Sequence, residues 1–102
     1  MSRPLILRPE AEADAEADAE AARDQLDAVR AGLGRKFISC LRDVLERVES
    51  MPELHGVTWQ DVRAARLKQF RHVVYYVVFA ERIEVLAILH GARDHSVWKS
   101  RA

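Results

Sequence analysis

The C-terminal part of the chain combines basic and aromatic residues of types that can bind anions or transfer protons. They flank or open two apolar runs, in the order Arg63, Arg66, Lys68, Arg71, His72, Tyr75, Tyr76, His90, Arg93, His95 and Trp98. Guanidinium groups bind phosphates and carboxylates, aromatic rings stack on bases, and imidazole titrates near neutral pH. The group can therefore hold a nucleic acid or the acidic tail of a protein partner. In the structural alternative, the tyrosines and Trp98 are core or rim residues and the arginines are solvated.

Signatures of other chemistry are missing from the sequence. It contains no glycine-rich phosphate loop, and its four histidines lack the spacing of metal ligands. The single cysteine, Cys40, lies in the middle of a predicted helix without an adjacent histidine, which favours a small core residue over a nucleophile. We therefore expect neither a metal ion nor another cofactor.

The N-terminal half predicts a strand followed by two helices. Residues 5–7 are apolar, and Pro9 suits the first turn of a helix. The repeat of alanine and acidic residues over 11–22 alternates with period two, but alanine is the best helix former and is depleted in strands. Glycines 32 and 34 are predicted to end this helix. The second helix, ended by Pro52, has apolar residues at helical spacing: Phe37, Leu41, Val44 and Val48.

Three strands are predicted to follow, at Val62–Leu67, Val73–Phe79 and Ile83–His90. The short connection between the last two predicts an antiparallel hairpin, which would place Arg71 and His72 beside His90 and Arg93. The last strand is apolar on both faces, as expected for a central strand covered on each side. The fold predicted for residues 1–102 is a single α+β domain. It comprises an N-terminal strand, an antiparallel helical hairpin and a three-stranded antiparallel meander, forming one curved sheet with the helices on one face.

Charge is balanced overall but unevenly distributed. The chain has 16 basic and 16 acidic residues, which argues against a general nucleic-acid binder. Residues 10–27 carry eight acidic side chains against one basic, whereas residues 60–102 carry eight basic against four acidic. A lone cysteine excludes an internal disulfide and suits a reducing compartment. The sequence has no apolar run of membrane-spanning length and its N-terminal apolar stretch is too short for a signal peptide, so we expect a cytoplasmic protein.

Two segments carry a family resemblance, together with the order of the elements. They are Phe70–Val78 (FRHVVYYVV) and Ile83–Asp94 (IEVLAILHGARD). The opening Leu7–Asp14 and the stretch from Gly34 to Phe37 add to it. From about Leu5 to Trp98 the chain resembles the RelE/ParE superfamily of bacterial toxins, chiefly through the element order and the His-Gly-x-Arg ending.

The resemblance implies the toxin of a type II toxin–antitoxin system, which inhibits growth and is neutralised by a cognate antitoxin in a heteromeric complex. RelE-like members cleave messenger RNA on the ribosome, whereas ParE-like members bind DNA gyrase and are not nucleases. The alanine-rich face of the first helix and the exposed sheet edge are available surfaces for the antitoxin. The basic C-terminal part is expected to prefer an acidic antitoxin tail.

The resemblance also separates the two branches. Arg93 matches the arginine after the last strand, and Arg63 and Arg66 lie roughly where the RNA-cleaving branch has basic residues. Trp98 stands near a position where that branch often has tyrosine, and an indole cannot transfer a proton from a hydroxyl. This departure, the zero net charge and the acidic helix favour a ParE-like toxin without enzymatic activity.

Two alternatives remain open at this level. The first is a metal-independent, ribosome-dependent endoribonuclease in which His72, His90 or His95 supplies the missing acid–base group. The second is a family member that binds its antitoxin without being toxic.

Overall fold

The chain forms an α+β fold with a mixed five-stranded sheet. The structure is a computed structural model, and it describes residues 3–29, 31–90, Lys99 and Arg101. In chain order its elements are β1 (Leu5–Leu7), α1 (Pro9–Val29), α2 (Leu33–Ser50), β2 (Val57–Trp59), β3 (Val62–Arg66), β4 (His72–Val78) and β5 (Ile83–His90). The strands lie in the order β1-β5-β4-β3-β2. The predicted fold class is confirmed, and so is the order of its elements.

The sheet has one strand more than the sequence predicted. Strand β1 pairs in parallel with β5, and β5, β4, β3 and β2 form an antiparallel meander of four strands. Strand β2 is only three residues long, too short for a recognisable alternation of polar and apolar residues. Gln60 follows it with a φ of 49°, a left-handed conformation that turns the chain tightly into β3.

The helical hairpin covers one face of the sheet, as predicted. The apolar stripe of α2 is buried over its whole length and consists of Phe37, Leu41, Val44 and Val48. It shares the helix-side core with residues of β3, β4 and β5, and Cys40 is half-buried at the edge of the same core. Gly34, which was expected to help end the first helix, instead lies inside α2 and is buried, because α2 begins at Leu33 after a left-handed Gly32.

Strand β5 is buried on both faces because an apolar cluster covers each of them, and a bulge changes which of its residues lie on each face. Tyr75 pairs with Ala87 and Tyr76 with Val85, so Leu86 is an additional residue in β5. Leu86 and Ala87 both join a second apolar cluster, on the sheet face opposite the helices. The first cluster, on the helix side, includes Val85 and Ile88.

The backbone groups near this bulge have side-chain partners. Asp14 of α1 accepts a hydrogen bond from the Ile88 amide at 3.3 Å, and Arg101 donates to the Leu86 carbonyl at 3.1 Å. Arg101 and Asp14 also form an ion pair of 2.7 Å with little solvent exposure. The acidic residue of α1 and the C-terminal arginine therefore satisfy backbone groups beside an irregular part of the ladder.

A second ion-pair group links β1 to β5. Glu84 accepts hydrogen bonds from Arg8 at 2.9 Å and from Arg82 at 2.6 Å. The bonds from Arg8 and then Arg82 lower the pKa of Glu84 below its usual range, against the effect of burial. Within the described ranges, no helix is long and apolar enough to cross a membrane.

Candidate functional site

The predicted meeting of two strand ends is present in the structure. His72 at the start of β4 pairs directly with His90 at the end of β5, and their ring centroids are 5.2 Å apart at right angles. Both side chains are half-buried on the helix side of the sheet. The sequence predicted this proximity because an antiparallel hairpin brings the start of one strand near the end of the other. The direct pairing depends on the bulge at Leu86, since counting outward from Val78 and Ile83 without it would pair His72 with Leu89.

An aromatic contact connects this pair to α2. The ring of Phe37 lies 4.6 Å from His72 and 5.3 Å from Phe70, in edge-to-face geometry with each. The first turn of α2 therefore adjoins the β3–β4 turn. Because Arg35 and Lys36 directly precede Phe37, this contact brings the part of α2 that carries two further exposed cations to the same end of the sheet.

The β3–β4 turn presents two of the predicted binding residues to solvent. A hydrogen bond of 3.0 Å from the Leu67 amide to the His72 carbonyl closes the turn, and Gln69 within it has a φ of 74°. Lys68 and Arg71 lie on either side of Gln69 and Phe70 in this turn, and both are exposed. We call the four exposed cations of the turn and of the adjoining helix start the basic end: Arg35, Lys36, Lys68 and Arg71.

The helix half of the basic end was missed by the sequence analysis. Arg35 and Lys36 lie far from the strand cluster in sequence, and the contacts of Phe37 with Phe70 and His72 bring the start of α2 to it. One sequence signal pointed to them: the first turn of α2 has no acidic residue, although acids are favoured there by the helix dipole. By contrast, α1 begins with Glu10 and Glu12.

Arg63 occupies a different place from the one expected for a catalytic cation. Its guanidinium donates to the His55 carbonyl at 2.6 Å and to the Glu53 carbonyl at 3.4 Å. The hydroxyl of the neighbouring Tyr76 donates to the Pro52 carbonyl at 2.7 Å. We call residues 52–56 the clamped loop, because these two side chains hold it against the sheet.

Burial changes the titration of two groups at this loop. It raises the pKa of Tyr76 to about 12, partly offset by the positive charge of Arg63. It also lowers the pKa of His55, whose ring packs edge-to-face on Tyr76, and the charge of Arg47 acts in the same direction. Burial therefore favours the neutral form of both groups, as is typical of packing residues.

The other predicted site residues are dispersed. Arg66 is exposed and pairs with Val73, whose side chain belongs to the apolar cluster on the face opposite the helices. Tyr75 is buried in that same cluster. The remaining three predicted residues, Arg93, His95 and Trp98, lie outside the described residues.

The two arginines of β3 do not converge on one site. Arg63 and Arg66 face opposite sides of the sheet because residues separated by an odd number of positions on a strand alternate. Among residues 3–29, 31–90, 99 and 101, no group of three or more potential ligands could hold a metal ion. The basic end can attract an anion. The His72–His90 pair lies beside it, because Phe37 of α2 contacts His72.

Comparison with known proteins identifies the family. Among solved structures, the chain is similar to one described as a chromosomal ParDE toxin–antitoxin system from P. aeruginosa. The match has a TM-score of 0.61 at 17% sequence identity and covers 86% of this chain and 95% of that chain, so it shows a shared fold. A search of curated proteins finds no significant match. The family model described as ParE toxin of type II toxin-antitoxin system, parDE, matches residues 5–95. This match spans most of the sequence, and the chain therefore belongs to the ParE toxin family.

Proposed function

We propose that the chain is a growth-inhibiting toxin that acts by binding DNA gyrase and is neutralised by a cognate antitoxin in the cytoplasm. The contacts of Arg63 are the observation that favours a binding mechanism over a catalytic one. Its guanidinium is engaged by two carbonyl groups of the clamped loop. This cation supports packing and is not directed at an open site.

RNA cleavage requires charged and proton-transferring groups placed around one phosphate. The 2′-hydroxyl must lose a proton, the charge on the pentacoordinate phosphate must be stabilised, and the leaving oxygen must gain a proton. These steps need several cations and a proton-transfer group around one phosphate. Arg63 and Arg66 lie on opposite faces of the sheet, and Tyr75 and Tyr76 are buried.

The RNA-cleaving alternative has one specific observation in its favour. His72 and His90 lie side by side, and imidazole groups can donate and accept protons near neutral pH. Arg71, directly before His72, is exposed and could approach a phosphate. This alternative predicts a metal-independent nuclease that acts on ribosome-bound messenger RNA.

Controlled expression in bacteria without the antitoxin distinguishes these functions. We expect growth arrest with induction of the DNA-damage response, and inhibition of purified gyrase by the purified chain. Transcripts should stay intact within their reading frames. Arrest accompanied by cleaved messenger RNA and unaffected gyrase would support the nuclease instead. Normal growth at a verified level of folded protein would leave only the non-toxic, antitoxin-binding alternative.

The antitoxin part of the proposal is tested separately. The gene adjacent to this one should encode a small DNA-binding protein whose co-expression restores growth. Because a partner that binds only the folded form stabilises it by mass action, its addition should also raise the melting temperature of the chain. An unchanged melting temperature at saturating partner would contradict this part.

A further inference from the structure

We propose that the basic end binds an acidic segment of the antitoxin. The inference rests on the proposed toxin–antitoxin function, and it assigns a location to one contact of that complex. Its basis is that two elements distant in sequence meet at the same end of the sheet and carry four exposed cations there: Arg35, Lys36, Lys68 and Arg71.

Buried and hydrogen-bonded residues fix the two backbone segments that carry these cations. Phe37 is fully buried, and its contacts with Phe70 and His72 fix the first turn of α2 against the β3–β4 turn. The hydrogen bond from the Leu67 amide to the His72 carbonyl fixes the shape of that turn. A preorganised set of charges binds a partner at a lower entropic cost than the same charges on mobile segments.

The sequence around these four cations contains basic residues and no acidic ones. Neither residues 28–42 nor residues 62–80 contain an aspartate or a glutamate. The N-terminus of α2 adds the partial positive charge of the helix dipole, and its N-cap residue, Gly32, has no side-chain oxygen to offset it. Charge complementarity therefore points to an anionic partner.

An acidic peptide fits this surface better than a nucleic acid. The chain has no net charge, and α1, which leads directly into α2, carries the acidic run of residues 10–27. A long polyanion that reached the basic end would be repelled by α1, whereas a short acidic segment can stop before it. The aromatic rings beside the cations pack edge-to-face with one another, and Phe37 is fully buried, so it offers no face on which a base can stack.

The test measures binding of a short fluorescent polyglutamate peptide to the purified chain at low ionic strength. Two variants each remove two cations, one from each element: Arg35→Gln with Lys36→Gln, and Lys68→Gln with Arg71→Gln. The matched control, Arg42→Gln with Arg47→Gln, removes the same net charge from exposed positions farther along α2. Melting temperature verifies that all three remain folded.

We expect each basic-end variant to weaken peptide binding by about threefold to tenfold, as is typical of exposed charge pairs, and the control to change it by less than about twofold. Binding should also weaken as salt is added. The proposal is overturned if the control weakens binding as much as the variants do, or if only one of the two variants matters. It is also overturned if duplex DNA or single-stranded RNA of the same length binds more tightly than the peptide.

The same variants can be tested against the antitoxin itself. We expect both basic-end variants to dissociate from it faster at physiological salt than the control does. Failure of the wild-type chain to arrest growth would refute the proposed toxicity but not the peptide result. Equal dissociation rates for all three variants would refute the basic end as an antitoxin contact while leaving toxicity untouched.

Discussion

The two side chains that hold the clamped loop make contributions to stability that can be measured. Tyr76 and Arg63 hold it through different carbonyl groups, and Tyr76 is fully buried. Replacing Tyr76 by Phe removes one hydroxyl and leaves the Pro52 carbonyl without this donor. The expected loss is about 1–2 kcal/mol in the free energy of unfolding. For a domain of this size, this corresponds to a decrease in melting temperature of roughly 4–16 °C.

Arg63→Met keeps the aliphatic length of the side chain and removes its donors. A charged donor to a carbonyl contributes about 1.5–3 kcal/mol, and partial exposure favours the lower end of that range. Because each clamp depends on a docked loop, loss of one weakens the other. The double variant should therefore be less destabilised than the sum of the single variants, with a coupling of about 1 kcal/mol.

Urea unfolding of the wild type, the two single variants and the double variant measures this coupling. Arg66→Met is the matched control, since it makes the same chemical change at an exposed position of the same strand, and should stay within about 0.5 kcal/mol of the wild type. Additive effects would show that the two bonds act independently. An unchanged stability of Tyr76→Phe would refute the contribution of the hydroxyl.

The Tyr76 hydroxyl also predicts a dependence on alkaline pH. Its pKa rises from 10.0 to about 12 on folding, so the folded state favours the neutral phenol. This contribution is complete below pH 10 and is lost as the pH rises from 10 to about 12. Stability curves of the wild type and of Tyr76→Phe should therefore converge over that interval, and parallel curves would contradict the assignment.

Three further perturbations test other parts of the structure. Glu84 has a lowered pKa, so its contribution is present above its unfolded pKa and is lost on acidification below it; Glu84→Gln should reduce the acid dependence of the melting temperature. His55 also has a lowered pKa, but protonation of this base opposes folding, so stability should fall below pH 6.5, and His55→Gln should flatten that decline. Asp14→Asn leaves Arg101 without its charged partner and should cost about 1–2 kcal/mol in urea unfolding. Unchanged profiles for the first two, or an unchanged midpoint for the third, would contradict these expectations.

The distribution of charge distinguishes the surfaces available to a partner. The sequence indicates two such surfaces, the alanine-rich face of α1 and the sheet edge. In the structure, α1 buries Ala11 and half-buries Ala15 against the core, while Glu12, Glu16 and Glu20 on its outer side are exposed. The basic end lies on the other helix and on a strand turn. A partner that contacts both must therefore present opposite charges along its length.

The sequence by itself determined the elements other than β2, together with the buried faces of α2 and β5. The spacing of Phe37, Leu41, Val44 and Val48 predicted the buried stripe of α2, and the continuous apolar run of β5 predicted a strand covered on both sides. The short hairpin connection predicted that His72 would lie near His90, although their direct pairing depends on the bulge at Leu86. These predictions succeeded because they depend on local periodicity and on pairing across a short turn.

Only the tertiary structure decided which side chains from distant segments come into contact. The contact of Phe37 with Phe70 joins Arg35 and Lys36 to the strand turn, and the clamped loop gives Arg63 a packing role. The parallel pairing of β1 with β5 and the bulge at Leu86 likewise depend on which backbones meet after collapse. Long-range packing brings together groups that neither helical nor strand periodicity relates, so no local pattern encodes their proximity.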